Sequence, residues 1–327
     1  MRIENIPLSA IAIDIPGWDR YVFTYPLAAG KLPAAIQAAG LQQPVLLAAQ
    51  DHLHHVVLGV KRVLACRELG RREIPALVRR SDTVENLLLI GLQEKTSTAP
   101  LNPMEKARAL ARFAEIWKND YDALRERICP LIELPPTAES MENYLFFNRM
   151  PELVQTKLAG GELSPAHASL LAPLRHDEIE PVARALFTAC QPTLQEAREM
   201  VENMLSLCAR EGLRPRELLA NPELEMILQD GALNPRERTA RVRQWLHGQR
   251  FPRLAAAERR FHELVAPIEN RAGVTIHPPR GFEGMICELR LQCSKEGDIE
   301  KAAAGLQQSL SAQTWKEIFE LLRTGQS

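Results

Sequence analysis

The sequence has 327 residues, of which 46% are hydrophobic and 25% charged, and this length suits two or three globular domains. Its formal net charge is -1, so no global field attracts the chain to nucleic acid. Six cysteines without metal-binding spacing, and the lack of any run near the roughly 18 apolar residues of a membrane span, predict a cytoplasmic protein with no membrane partner.

The first hundred residues mix short strand patterns with helical ones, which predicts a small α/β unit. Gln50-Asp51-His52 separates two β-rich runs and predicts a hairpin turn. Asp82 and Glu85 resemble a capping box at the start of a helix with Val84, Leu87, Leu88 and Leu92 on one face. The predicted strands cover residues 3–15, 43–47, 55–58 and 74–78, and the predicted helices begin at residues 32, 60 and 83.

Gly59 joins the second strand of the predicted hairpin to a helix that opens with Lys61 and Arg62. A helix N-terminus presents unpaired N–H groups and favours anions over cations. Two cations in this turn therefore suit a ligand that carries phosphate. The alternative is an ordinary strand–turn–helix with solvated basic residues, and spacing alone favours it.

Three motifs resemble the N-terminal domain of ParB-type chromosome and plasmid partition proteins. They are Gln43-Pro44-Val45, Gly59-x-Lys61-Arg62-x-x-Ala65 and Ile74-Pro75. The resemblance implies a ParB/sulfiredoxin-like fold in which the glycine turn binds the triphosphate of CTP. Val60 stands where sulfiredoxin carries its catalytic cysteine, so sulfiredoxin activity is not expected.

The motif after the last helix of this domain departs from the family. ParB-type proteins have Glu-Asn-x-x-Arg there, with the Glu-Asn pair at the nucleotide and metal site and the Arg in self-association. Glu94 matches, but Lys95 replaces the Asn and Thr98 replaces the Arg. A lysine offers no lone pair to Mg²⁺, although its charge suits a triphosphate. We therefore hypothesise that CTP binding persists while Mg²⁺-dependent hydrolysis is weak or lost; the alternative is a decayed pocket that binds nothing.

The resemblance also assigns roles around this pocket. Gly59 would form a backbone cradle for phosphate, Lys61 and Arg62 would supply charge, and Glu94 would position a metal or water. No catalytic residue is assigned, so a weak CTPase is the most that is expected, and no Asp/Glu/His cluster supports a nuclease. The predicted nucleotide-binding residues are Gln43, Pro44, Gly59, Lys61, Arg62, Glu94 and Lys95, with Glu94 also the predicted metal ligand.

Residues 101–250 have helical patterns throughout, and they resemble the helix-turn-helix region of ParB-type proteins. Thr137 is predicted to cap a recognition helix over residues 138–150. The predicted DNA contacts are Asn143 and Arg149 in this helix and His167 in the segment Gly-x-Leu-Ser-x-x-His-Ala. A lone histidine at such a position is more often packed than a ligand.

Charge argues against DNA reading by this helix, because Glu139 and Glu142 would face phosphates. Residues 105–199 contain 11 Lys/Arg against 15 Asp/Glu, whereas residues 210–260 contain 11 Arg against 7 Asp/Glu. Arg236-x-Arg238-x-x-Arg241-x-Arg243 predicts either a helix that grips phosphate or a face with glutamate partners. The second is the commoner arrangement.

The last segment, residues 251–327, predicts a helix, a hairpin over residues 274–291 and two further helices. This layout is similar to the dimerisation domain of ParB-type proteins, and a hairpin cannot bury its apolar face alone. We expect an α+β chain with an N-terminal nucleotide-pocket domain (1–100), an all-helical middle (101–250) and a helix-hairpin-helix unit that forms a homodimer (251–327).

A full member of this family would be a CTP-dependent clamp on a centromere-like DNA site, with a ParA-type ATPase as partner and the nucleoid as its place in the cell. The main alternative is a non-enzymatic ParB-like scaffold or regulatory protein that does not read DNA sequence. The acidic recognition helix and the missing Asn and Arg favour this alternative.

Overall fold

The computed structural model describes residues 2–50, 52–310 and 313–324, apart from the side chains of Arg280 and Thr324. Asp51, in the predicted hairpin turn, lies outside the described residues. Tertiary contacts group the chain into two compact units, Met1–Phe187 and Thr188–Ser327. This boundary falls inside the predicted helical middle, residues 101–250, and the three-part division stays a prediction.

A five-stranded sheet forms the start of the first unit, with the order β1-β5-β3-β4-β2. β3 lies at its centre, antiparallel to β4 and parallel to β5. Residues 45–48 of β3 are all buried, as a near-continuous apolar run at the middle of a sheet requires. The strands are β1 (Ile3–Pro7), β2 (Ile11–Ala12), β3 (Val45–Gln50), β4 (Leu53–Leu58) and β5 (Glu73–Arg79).

Three helices accompany the sheet: α1 (Leu32–Ala39), α2 (Val60–Glu68) and α3 (Val84–Thr98). The predicted Asp82 cap of α3 is wrong. Thr83 is the N-cap, because its side chain accepts from the backbone N–H of Asn86 at 3.2 Å. Asp82 instead pairs with Arg79 at 3.4 Å. Val84, predicted on the same apolar face, is 38% exposed as the first residue of α3.

The rest of the first unit is helical. α6 begins after its cap Thr137, as predicted, but ends at Phe147 rather than Met150. The chain must leave the helical conformation before Pro151, which serves as N-cap of the next helix. The helices are α4 (Pro103–Ile116), α5 (Tyr121–Ala123) with a π-helical turn (Leu124–Ile128), α6 (Ala138–Phe147), α7 (Glu152–Gly160), α8 (Pro165–Ser169) and α9 (His176–Arg184).

The second unit is a helical array with a two-stranded antiparallel sheet. Its C-terminal core gathers Phe261 and Val265 of α14 with Ile318 and Leu322 of α16. β7 is shorter than predicted, because residues 285–287 do not pair with β6. The elements are α10 (Leu194–Glu211), α11 (Pro215–Leu219), α12 (Pro222–Gln229), α13 (Pro235–Arg250), α14 (Pro252–Ala272), β6 (Val274–His277), β7 (Glu288–Leu291), α15 (Glu296–Leu310) and α16 (Thr314–Thr324).

The predicted α+β class is confirmed, with an N-terminal sheet, a helical middle and a C-terminal helix-hairpin-helix layout. Within the described residues, no helix combines the length and the apolar composition needed to cross a membrane.

Candidate functional site

The turn between β4 and α2 is built on Gly59, which is the N-cap of α2 with φ 90° and ψ 27°. A Cβ at this position would lie 2.8 Å from Arg62 Nε and 2.9 Å from Val45 Cγ1. Both the left-handed backbone and the close approach exclude a side chain. Position 59 therefore requires glycine, and the turn brings the first N–H groups of α2 to the end of β4.

Arg62 holds the start of β3 against this turn. Its Nη1 donates to the carbonyl oxygens of Gln43 at 2.9 Å and Pro44 at 2.8 Å. Burial lowers the pKa of Arg62, and the negative charge of Glu94 on α3 opposes that shift. Five predicted residues, from three separate stretches of sequence, are thus brought to one place: Gln43, Pro44, Gly59, Arg62 and Glu94.

The side chains around this turn differ in their solvent exposure and in the partners they bind. Gln43 and Glu94 are exposed and Lys61 is half-buried. Within the described parts of the chain, Lys61 forms no ion pair within 4.0 Å. Arg62, by contrast, is occupied on one side by two carbonyl groups. Lys61 is therefore the cation of this turn that a ligand can approach most freely, while Arg62 shapes the site.

Lys95, also predicted to bind the nucleotide, forms an ion pair with Glu105 of α4. Its Nζ lies 2.9 Å from Glu105 Oε1, and the two side chains are 24% and 9% exposed. Glu105 also accepts from the backbone N–H of Tyr25 at Oε1 and of Asn102 at Oε2, both at 3.2 Å. The ammonium thus joins the end of α3 to the start of α4. Its predicted role beside a phosphate stays a prediction, and it requires this pair to open.

The donor set around Glu94 suits Mg²⁺ only together with phosphate. In the described residues, no group of three or more His, Cys, Asp or Glu side chains gathers to hold a metal ion. Mg²⁺ is commonly held by one or two carboxylates plus substrate phosphates. Glu94 can supply one such ligand, so the residues fit a metal that arrives with a nucleotide rather than one held by the protein alone.

The three predicted DNA-binding residues differ in their exposure and contacts. Asn143 is half-buried on α6, and Arg149 is exposed after its end. His167 is packed: its ring lies edge-on to Phe187 at 5.7 Å, and its Nδ1 is 2.7 Å from Ser164 Oγ. The packed arrangement expected for a lone histidine is what the structure shows, and DNA contact by these residues stays a prediction.

The arginines of α13 mostly serve packing on α10. Arg236 pairs with Glu196 at 2.9 Å, and Arg243 reaches Glu196 at 3.1 Å and Glu199 at 2.5 Å. Arg238 donates to the carbonyl oxygens of residues 189, 230 and 233. The expected glutamate partners are confirmed for Arg236 and Arg243, whereas Arg238 is held by carbonyl groups. All three guanidinium groups are thus already bonded and are unsuited to grip phosphate.

Nothing in the sequence pattern singled out Arg108 and Arg112 on α4. Arg112 pairs with Asp19 at 2.8 Å, and Arg108 donates to the carbonyl oxygen of Thr24 at 3.0 Å while lying over the Tyr25 ring. Burial lowers the pKa of Arg108. Their spacing of four places both side chains on one face of α4. Their bonds fasten residues 19–24 to that helix.

Residues 20–95 match the family model described as "ParB N-terminal domain". The chain is 30% identical over 149 residues to a "Probable chromosome-partitioning protein ParB" of Rickettsia bellii (strain RML369-C), covering 46% of this chain and 48% of that protein. It is 23% identical over 176 residues to a "Nucleoid occlusion protein" of Bacillus thuringiensis (strain Al Hakam), covering 54% and 58%. The chain thus spans about half the length of these curated relatives.

Among solved structures, the chain is similar to the C-terminally truncated ParB of Caulobacter crescentus complexed with CTP-gamma-S. That match has 24% sequence identity and a TM-score of 0.25, and it covers 55% of this chain and 98% of the Caulobacter chain.

Proposed function

We propose a nucleotide-binding function for this chain, which is a divergent ParB-type protein. The observation that carries the proposal is the Arg62 clamp, which holds Gln43 and Pro44 against the glycine turn at Gly59. The first N–H groups at the start of a helix are suited to a phosphate group. The resemblance of these motifs to ParB-type proteins makes CTP the proposed nucleotide.

Each residue has a separate part in this proposal. In this proposal the N–H groups at the start of α2 and the Lys61 ammonium bind phosphate, and Gln43 contacts the base side of the nucleotide. Mg²⁺, when bound with the nucleotide, would neutralise phosphate charge, and Glu94 would hold it. Because Lys95 replaces a neutral amide and pairs with Glu105, we propose that hydrolysis is weak or lost.

Calorimetry with CTP, in the presence and absence of Mg²⁺, tests the proposal. We expect saturable binding that Lys61→Gln weakens about tenfold, as the loss of one charged hydrogen bond implies. Lys31→Gln, at an exposed lysine before α1, is the matched control and should bind as the parent does. Absence of heat with CTP, ATP and GTP would overturn nucleotide binding.

A second candidate function is a scaffold that does not read DNA sequence. Its support is the presence of Glu139 and Glu142 on α6 together with the internal pairing of the α13 arginines. DNA affinity measured against salt concentration separates this scaffold from a DNA-binding partition protein, because a phosphate-gripping protein loses affinity steeply as salt rises. Weak binding with a shallow slope favours the scaffold, and tight binding to one sequence excludes it.

We further propose that the second unit forms a homodimer. Ile286 is 82% exposed beside the β6–β7 hairpin, and Leu289 of β7 is 43% exposed. A two-stranded sheet is marginal by itself and is stabilised by pairing with a second copy. The names of the relatives make chromosome partition or nucleoid occlusion the proposed setting, with DNA and a ParA-type ATPase as proposed partners.

A further inference from the structure

A cleft of about 540 Å³ lies between α12, α13 and α14, entirely within the second unit. Its lining combines the Trp245 indole, the guanidinium groups of Arg241 and Arg259, and the amides of Gln244 and Gln249. The α13 residues recur at steps of three and four from 241 to 249, so they share one face that is about 12 Å long. This volume lies in the range of small-molecule sites.

The indole is held in place by an acidic neighbour. Trp245 Nε1 donates to Glu223 Oε2 on α12 at 2.9 Å. Because the only polar atom of the ring is already bonded, the indole offers carbon surface to the cleft. Such a surface suits a planar ligand group that stacks on it.

The two arginines of the cleft differ from those that fasten α13 to α10. Arg241 is 59% exposed, and its contact with Asp230 is 4.0 Å long. Arg259 is exposed and forms no ion pair within 4.0 Å in the described parts of the chain. By contrast, Arg236 and Arg243 are bonded to glutamates at 3.1 Å or less. Two guanidinium groups therefore remain available to an anion at the cleft.

We propose that this cleft binds a nucleotide unit, with its base against Trp245 and its phosphate at Arg241 and Arg259. A stacking surface beside flexible cations is the combination by which proteins bind single-stranded nucleic acid with little sequence preference. The ligand chemistry is a base that carries phosphate, and its source is either a free nucleotide or a single strand. The site is separate from the proposed CTP turn at Gly59.

Fluorescence anisotropy of the full chain with a short fluorescein-labelled oligothymidine tests this inference. We expect saturable binding that weakens with salt and falls about tenfold or more in Arg259→Gln. Arg198→Gln removes the same charge from an exposed position of α10 outside the cleft and is the matched control. If the two variants lost affinity equally, general charge attraction would explain the binding and the cleft would not.

Gly248→Leu provides a test that leaves charge unchanged. A Cβ at Gly248 would meet Ala255 Cβ at 3.9 Å, an ordinary contact, so the helix accepts a side chain whose outer atoms fill the cleft. Loss of oligothymidine binding in a variant with unchanged circular dichroism supports the site. Unchanged binding in both Gly248→Leu and Arg259→Gln overturns it.

Competition experiments identify the source of the ligand. Displacement by thymidine monophosphate indicates a free nucleotide, and displacement by unlabelled oligothymidine alone indicates a single strand. Equal displacement by a duplex of the same sequence overturns the proposed stacking, because the bases of a duplex are not free to stack on Trp245. Displacement by polyglutamate at equal charge assigns the cleft to acidic peptides and overturns the proposal.

Discussion

Lys95 Nζ lies 2.9 Å from Glu105 Oε1, and this ion pair joins the end of α3 to the start of α4. The position is occupied by asparagine in the ParB-type motif that the sequence resembles. The chain therefore places a cation where the motif has a neutral amide and provides a buried carboxylate to receive it. Glu105 is 7% exposed and also accepts two backbone N–H groups, so its carboxylate is held in one orientation inside the first unit.

Removal of the Lys95 ammonium should destabilise the protein. We expect Lys95→Met to lower the free energy of unfolding by about 1–3 kcal/mol, because Glu105 keeps its backbone partners but loses its counter-charge. Urea denaturation of the first unit's transition measures this change. Lys31→Met, at an exposed lysine, is the control and should change stability by less than about 0.5 kcal/mol.

Lys95→Asn tests whether the lysine is the cause of a changed metal dependence. We expect this variant to gain Mg²⁺-dependent CTP binding or hydrolysis, because an amide oxygen can accept or coordinate where an ammonium cannot. Phosphate release with and without Mg²⁺ is the measurement. A variant that folds, binds CTP and still shows no response to Mg²⁺ would contradict the substitution hypothesis.

Gly59 should tolerate no side chain. Gly59→Ala places a Cβ in the left-handed region and 2.8 Å from Arg62 Nε. Gly70→Ala is the matched control, since Gly70 has φ 65° but open space around it. We expect a loss of about 1–2 kcal/mol in the control from backbone strain alone. The Gly59 variant should lose at least about 1 kcal/mol more from the steric conflict.

The same pair of glycine variants separates folding from ligand binding. CTP affinity, measured below the unfolding temperature of both proteins, should fall in Gly59→Ala and stay unchanged in Gly70→Ala. Equal affinity in the two variants would mean that the turn at Gly59 is not the phosphate site.

Glu196 should make stability depend on acidity. Hydrogen bonds from the backbone and side chain of Thr193, and then from Arg236, hold its pKa below the ordinary value of 4.5. A carboxylate with a lowered folded-state pKa stabilises the protein above the unfolded-state pKa, and this contribution is lost as pH falls through the folded-state value. We expect Glu196→Gln to cost about 1–2 kcal/mol near neutral pH.

The difference between parent and Glu196→Gln should therefore shrink as the pH is lowered below 4.5. Thermal unfolding followed by circular dichroism over this range measures it. Glu202→Gln, at an exposed position on the same helix, is the control and should track the parent. A constant difference at all pH values would show that the Arg236 and Arg243 pairs do not depend on the charge of Glu196.

Self-association should depend on the C-terminal hairpin. Ile286→Asp places a charge at a side chain that is 82% exposed, so we expect the fold to remain and the dimer to dissociate. Light scattering across a concentration series gives the mass. Met226→Asp, at a residue on α12 that is 72% exposed, is the control and should leave the mass unchanged. A parent protein that stays monomeric at all concentrations would refute the homodimer.

The local sequence pattern was sufficient to predict most of the helices and strands. The helix that ends at Gly40, the β3–β4 hairpin, the helix after Gly59 and the C-terminal hairpin were predicted from periodicity, turns and caps. These features are set by neighbours along the chain, so the sequence carries them directly. The end of α6 and the cap of α3 were misplaced because adjacent residues compete for the same role at a helix terminus.

The sequence by itself determined the α+β class and the order of elements, because hydrophobic pattern and turn chemistry are local properties. The residues expected at Gly59 came from the resemblance of the motifs to ParB-type proteins, and the structure brings Gln43, Pro44, Arg62 and Glu94 to that turn but pairs Lys95 with Glu105. Only the tertiary structure decided which partner each lysine and arginine side chain binds. Lys95 and Arg236 resemble free cations in the sequence, yet each meets a glutamate from another helix. The Arg62 guanidinium donates to the carbonyl oxygens of Gln43 and Pro44, which lie 18 or more residues away in the sequence. The guanidinium groups of Arg241 and Arg259 are instead exposed to solvent. A side chain's partner depends on which helices pack together, and that follows from the fold as a whole.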